Sequence, residues 1–172
     1  GSIVREAWAA TGADAGWLAF VDADGSASTD DLLRLVATAV ERDTSVLGVR
    51  KRTATTRVVE TLWRGLAHRL FILAVRAILG LRAQDPQCGL KVIKGPDYRR
   101  VAPRLVENGL AFDSELLAAL AASGATWHEE PISWTEKDGG KVRPLRHAWG
   151  MLAALWRVRG RAVGNREACA SG

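Results

Sequence analysis

The sequence is poor in cysteine, tyrosine, methionine and long apolar runs, and each shortage excludes something. Its 172 residues include two cysteines, one tyrosine, one methionine and three phenylalanines. Cys88 and Cys169 offer neither a thiolate metal quartet nor a disulfide framework, so a reducing, cytosol-facing setting is expected. The longest apolar stretches, Leu70 to Val75 and Leu116 to Trp127, fall short of the roughly 20 residues a spanning helix needs. Gly1 to Thr11 is polar, is broken by Arg5 and Glu6, and shows no secretory pattern. Zinc-finger, RRM and KH patterns are absent. His128-Glu129-Glu130 lacks a second histidine, and Gly139-Gly140-Lys141 lacks the Walker spacing.

What is present describes a globular chain. Hydrophobic residues make up 48% and charged residues 25%, and the length suits one domain. With 24 basic and 19 acidic residues the net charge is +5, which favours anionic partners such as phosphates, nucleic acid or a membrane surface. Seven tryptophans suit either a core with polar handles or a surface at a membrane interface.

Apolar periodicity predicts an α/β order. Ala15 to Val21 is a buried strand that ends in Asp22-Ala23-Asp24-Gly25. Ser28 caps a helix from about Asp30 to Arg42, and Ser45 to Val49 is a second strand. From Thr56 to Leu81, Val59, Leu62, Trp63, Leu66, Leu70, Leu73 and Ala77 recur at helical spacing, interrupted by Arg57, Arg64, His68, Arg69 and Arg76. This predicts a long amphipathic helix with a basic side, ended by Gly80. Gly89 to Ile93 makes a strand, Pro96 starts a helix, and Asp113 to Ser123 is a helix closed by Gly124. Extended segments flank Pro131, Leu145 to Arg159 is helical, and Gly160 to Gly172 is a frayed basic tail. An open α/β domain needs a βαβ unit before its first strand, and here that strand follows only a partial helix at Ser2 to Ala10. The expectation is therefore a domain over 1–159 that starts part-way through.

Asp22 and Asp24 flank one residue at a strand end, where a crevice ligand can meet both side chains. Their hard oxygen donors suit Mg²⁺ or Mn²⁺ held against a diphosphate, which the ion would neutralise as it leaves. Simple turn chemistry explains an isolated Asp-x-Asp-Gly equally well; the apolar strand before it favours the metal.

Five motifs then occur in one order: Asp22-Ala23-Asp24, Gly48-Val49-Arg50, Asp85-Pro86-Gln87-Cys88-Gly89-Leu90-Lys91, Phe112-Asp113-Ser114-Glu115-Leu116-Leu117, and Glu130 to Lys141. In this order the chain, from Gly1 to about Arg159, resembles inverting glycosyltransferases of family 2, and within them the dolichyl-phosphate glucosyltransferases more than the mannose synthases. The resemblance implies a GT-A fold with a mixed sheet flanked by helices, truncated at its N-terminus, because the family places a nucleotide-binding segment before residue 1. It further implies a nucleotide-sugar donor, a divalent cation and a polyprenyl-phosphate acceptor.

By the same resemblance Asp22 and Asp24 form the metal and diphosphate site, with Asp24 preferred as the direct ligand and Gln87 beside them on the donor side. Arg50 and Arg64 match positions that hold the acceptor phosphate, a role for which a guanidinium fork is well shaped. Two positions depart from the family: His68 replaces a hydroxyl residue, and Gly139-Gly140-Lys141 replaces Gly-Ser-Lys. Both remove a phosphate-contacting hydroxyl, although His68 and the Gly140 amide can donate instead, and Lys141 keeps its charge. Asp113 lines a sugar site by resemblance and reads as a helix N-cap on its own. Asp24 and Asp113 are thus the catalytic candidates, yet a base is not obligatory: a phosphomonoester, with a second pKa of about 6, is already a nucleophile at neutral pH. Asp85 and Glu115 remain as polar candidates without a role. Cys88 reads as packing.

The end of the chain collects Lys141, Arg143, Arg146, Arg157, Arg159, Arg161 and Arg166 around Trp149, Met151, Leu152, Leu155 and Trp156, which suits a helix lying on anionic headgroups or an ordinary helix with a basic rim. The leading expectation is a transferase at the cytoplasmic face of a membrane, contacting it peripherally and moving glucose from UDP-glucose to a polyprenyl phosphate. A GDP-mannose-dependent enzyme and a catalytically silent membrane-binding fragment are the alternatives. Nucleic acid is not expected as a partner, because paired carboxylates repel phosphates unless a metal intervenes.

Overall fold

A computed structural model describes residues 1–12, 14–59, 62–109, 111–135 and 149–161. The elements are α1 (Ser2–Ala9), β1 (Trp17–Val21), α2 (Thr29–Arg42), β2 (Ser45–Arg50), β3 (Val58–Val59), α3 (Leu62–Leu79), β4 (Leu90–Lys94), α4 (Gly95–Val101), α5 (Phe112–Ala122), β5 (Trp127–Ile132) and β6 (Trp134–Thr135), then α6 over 149–161. A mixed α/β architecture is what the apolar periodicity predicts.

Local chemistry sets several boundaries. The Ser28 hydroxyl accepts the Asp31 N–H at 3.1 Å and donates back to the Asp31 carboxylate at 2.8 Å, a reciprocal cap that starts α2. Gly80, at φ +67°, ends α3 in a left-handed turn that an L side chain resists.

Four strands form a sheet in the order β1-β4-β2-β5. β4 runs antiparallel to both β1 and β2, whereas β5 is parallel to β2. β3 and β6 make a separate parallel pair, joined to the turn after β1 by a bridge between Ala27 and Trp134. Helices cover both faces. Leu18, Leu47, Ile93, Tyr98, Leu116 and Leu155 pack one side with α1, α4, α5 and α6, and Leu35, Val46, Leu90, Val92 and Ile132 pack the other with α2. Leu116, Leu117 and Leu120 of α5 and Val46 and Leu47 of β2 are fully buried, each stabilising the fold by roughly 25 cal/mol for every Å² removed from water.

Four expectations are corrected. The long helix does not begin at Thr56: Val58 and Val59 are extended, because Val58 pairs with Trp134 and the Arg57 carbonyl accepts the Trp134 N–H at 2.8 Å. Pro131 does not divide the strand, since β5 is hydrogen-bonded to β2 on one side only and an edge strand tolerates a missing N–H. Asp113 is no N-cap; Ala111 occupies that position and Asp113 lies in the first turn of α5. Finally, Gly160 and Arg161 are helical rather than part of a frayed tail. The reason is a charge clamp: Arg161 donates to Glu107 at 2.8 Å and to Glu115 at 2.7 Å.

Glu115 is the hub of that clamp. It is buried, and its Oε2 accepts the backbone N–H groups of Val106 and Glu107 at 2.9 and 2.8 Å. One carboxylate therefore fixes the turn before α5 and the docking of α6. Glu115→Ala, which leaves the Val106 and Glu107 amides without their acceptor and takes from Arg161 one of its two carboxylate partners, is expected to lower the unfolding free energy by about 2–4 kcal/mol in urea titrations. Glu115→Gln, which can still accept backbone N–H groups, should cost visibly less.

Candidate active site

Because β1, β2 and β5 point one way and β4 the other, three strand C-termini and one strand N-terminus share an edge. Asp22 to Gly25 leave β1 there, Arg50 ends β2, the turn 85–89 feeds β4, and Ser133 and Trp134 follow β5. The Asp22 N–H donates to the Gly89 carbonyl at 2.8 Å, binding the first of these segments to the third.

One part of the edge is acidic. Asp24 turns back on the chain, its Oδ1 accepting the Ser26 N–H at 2.9 Å. Burial pushes the Asp22 carboxyl above its usual range; the neighbouring Asp113 and Asp24 charges add to this, while Lys91 and Arg50 oppose it. Asp22 is packed against Gly89 so closely that a Cβ there would fall inside its carboxylate. Lys91, in the middle of β4, is fully buried. Its ammonium donates to Asp113 Oδ1 at 3.0 Å and to the Cys88 carbonyl, and it sits 5.1 Å from the Phe20 ring centre. A buried ammonium is tolerable only with such partners. Among the described residues no three His, Cys, Asp or Glu side chains are grouped as metal ligands. A cation here would rest on one or two carboxylates and take its other oxygens from water and a diphosphate, the usual arrangement for Mg²⁺. The hard oxygens of Asp22 and Asp24 fit that chemistry.

The other part is basic. Asp85 Oδ2 accepts the Arg50 backbone N–H at 3.2 Å and its Nε at 2.7 Å, and Oδ1 accepts Nη2 at 2.8 Å. His68, on α3, brings Nδ1 to 3.2 Å from Arg50 Nη2 and Nε2 to 3.4 Å from Asp85 Oδ1. The Trp134 ring covers the guanidinium at 5.2 Å. Burial alone would raise the Asp85 carboxyl, but the Arg50 hydrogen bonds and charge outweigh it and hold Asp85 below its usual range. Burial likewise keeps His68 neutral, overriding the Asp85 charge that would favour its cation.

The structure thus brings together Asp22, Asp24 and Asp113, and separately Arg50 and His68; Gln87 lies half-buried in the turn between Asp85 and Gly89. The Arg64 side chain and Lys141 lie outside the described residues. Cys88 is packing, its thiol buried and pushed up to about 12 by desolvation, with no access to a substrate. Sequence reasoning gave no role to Lys91 or Gly89 and left Asp85 as a candidate without one. Lys91 had a visible signal, a lysine between Leu90 and Val92 in an apolar strand. Gly89 and the grip of Asp85 on Arg50 had none, because both depend on segments distant in sequence.

Comparison with curated proteins reaches the same family as the motifs. The chain is 30% identical over 147 residues to a dolichyl-phosphate β-glucosyltransferase of Drosophila melanogaster, covering 78% of this chain and 43% of that protein. It is 28% identical over 141 residues to the Saccharomyces cerevisiae protein of that name, 72% of this chain and 41% of the other. The Dictyostelium discoideum protein matches at 28% over 145 residues, 81% and 44%. This likeness supports a dolichyl-phosphate glucosyltransferase-like family among the family 2 glycosyltransferases. It spans less than half the length of these relatives. No family model matches it, and no solved structure does.

The basic cluster has a pH signature. His68 carries a folded pKa below its ordinary 6.5, so the unfolded chain takes up its proton first as pH falls. The contribution of neutral His68 is complete above that value and is lost as pH drops below it. Asp85, depressed below 3.8, adds a second loss at lower pH, whereas Asp22, raised, acts in the opposite sense. The urea midpoint of the wild type is expected to fall between pH 7.5 and 5.5 relative to that of His68→Gln, which isolates the histidine.

Proposed function

We propose that this chain catalyses transfer of a hexose, glucose from UDP-glucose as the first choice, to a polyprenyl phosphate of the dolichyl class, within a GT-A fold and with inversion. The carrying observation is that one sheet edge holds the carboxylates Asp22, Asp24 and Asp113 beside the Arg50–His68 cluster, close enough that Asp113, Asp24, Lys91 and Arg50 all act on Asp22. The names of the relatives support the sugar and the acceptor class.

In this reading Asp22 and Asp24 would hold Mg²⁺ or Mn²⁺, which would supply positive charge against the leaving nucleoside diphosphate. Asp113, its Oδ1 held by Lys91, faces the sugar. Arg50 and His68, with Arg64 and Lys141 as further candidates, bind the acceptor phosphate. A phosphate oxygen attacks the anomeric carbon from the face opposite the diphosphate; the new C–O bond forms as the old one breaks, and no proton needs removal from a dianionic phosphomonoester. Rate enhancement then comes from alignment and charge complementarity.

A membrane surface as the place of reaction is supported by α3 and α6. Leu62, Trp63, Leu66, Leu70 and Leu73 on α3 are exposed, as are Trp149 and Trp156 on α6. α3 has basic residues and no acidic one across Leu62–Leu79. Apolar and basic groups together suit the anionic cytoplasmic leaflet. None of the described helices is long and apolar enough to cross a membrane.

The test is transfer of labelled sugar from UDP-glucose, with GDP-mannose in parallel, to a short polyprenyl phosphate in anionic vesicles with Mg²⁺ or Mn²⁺. Metal-dependent glucosyl transfer is expected. Asp24→Asn should abolish it, and Gly89→Ala, which displaces the Asp22 carboxylate, should weaken Mn²⁺ binding by about 10- to 100-fold. Transfer from GDP-mannose alone would replace the donor with that of the runner-up, and no transfer by folded protein would overturn the enzyme reading in favour of a silent membrane-binding fragment.

A further inference from the structure

Asp85 is only 2% exposed at its side chain, against 16% for Arg50 and 18% for His68. A ligand can therefore reach the two basic side chains but not the carboxylate between them. The three groups come from separate segments: the end of β2, the second turn of α3 and the turn before β4. We propose that Asp85 is a positioning residue, a buried carboxylate that holds Arg50 and His68 together as a preformed receptor for a phosphomonoester. The inference rests on the reading of this edge as the acceptor-phosphate site.

The geometry of the grip carries the argument. A single oxygen, Oδ2, accepts both the backbone N–H and the Nε–H of Arg50, so the side chain is locked relative to its own strand end. Oδ1 takes Nη2, which completes a two-point fork and fixes the guanidinium plane. Trp134 backs that plane, and His68 meets Nη2 along its edge. An arginine left mobile loses rotamer entropy when it is immobilised, a cost that Asp85 has met before any ligand arrives. Stability is a poor explanation for the arrangement, since a buried ion pair adds little net free energy over an apolar replacement. Preorganisation explains it, because Arg50 ends β2 on the edge that also holds Asp22, close enough for its charge to act there, and His68 lies against its guanidinium. Lysine in place of Arg50 would keep the charge and lose the fork, so the effect of Asp85 should vanish in that background.

The experiment measures binding of inorganic phosphate and of a short polyprenyl phosphate to the full chain, alongside binding of Mn²⁺ with UDP-glucose, for wild type, Asp85→Asn, Arg50→Lys and the double variant. Asp85→Asn is expected to weaken phosphate binding by about tenfold or more while nucleotide affinity stays within about twofold. In the Arg50→Lys background the same change should cost less than about twofold, the mark of one residue acting through the other. Phosphate affinity unchanged in Asp85→Asn overturns the inference. So does loss of phosphate and nucleotide binding together with a lowered melting temperature, which is a structural role. If Asp85→Asn does not fold, Asp85→Glu carries the test: it keeps the charge but moves the fork by a methylene, and wild-type phosphate affinity in it overturns the proposal. A wild type that binds Mn²⁺ with UDP-glucose but neither phosphate would overturn the acceptor-site reading and this inference with it. Phosphate binding with no effect of Asp85 would overturn the inference alone.

Discussion

One hydrogen bond at the mouth of the sheet, from the Asp22 N–H to the Gly89 carbonyl at 2.8 Å, ties the end of β1 to the start of β4, and the site is arranged around it. With that register held, Phe20 pairs with Lys91, so the Lys91 ammonium emerges under the acidic cluster and meets Asp113 on α5. The absent side chain of Gly89 leaves the volume that the Asp22 carboxylate fills. A shift of one residue would turn Lys91 to the opposite face, where Leu35, Val46 and Ile132 offer no partner.

Two buried ion pairs divide the work along this edge. Lys91–Asp113 stands on the side of the carboxylates, and Arg50–Asp85 stands on the side of the basic cluster. Neither is a strong source of net stability, because desolvation offsets much of the attraction. Each restricts a functional side chain to one orientation, and each joins segments that are far apart in the chain. The clamp of Glu115 on α6 differs in kind: its partners are the Val106 and Glu107 amides and Arg161, which hold α6 against the turn before α5.

Sequence reasoning recovered most of the element order. The strand before Asp22, the cap at Ser28, the stop at Gly80 and the helix over Phe112–Ala122 all follow from local periodicity and turn chemistry. It failed where a distant partner overrides a local tendency. Val58 and Val59 fit a helical pattern but pair with β6, and Pro131 looks like a break but occupies a harmless edge. Asp113 looks like a cap because its residue type suits one, yet its partner is a lysine 22 positions away.

The α/β class, the Asp22-Ala23-Asp24 turn at a strand end and the likeness to family 2 glycosyltransferases were legible in the sequence, since these depend on nearest neighbours and on motif order. Tertiary structure alone decided how the polar residues are used. Burial made Lys91 a partner of Asp113, made Asp85 the grip on Arg50 and kept His68 neutral, and burial is a property of segments brought together rather than of any one of them. Desolvated charges must find partners, and which partners are within reach is settled only when the sheet has its order and register.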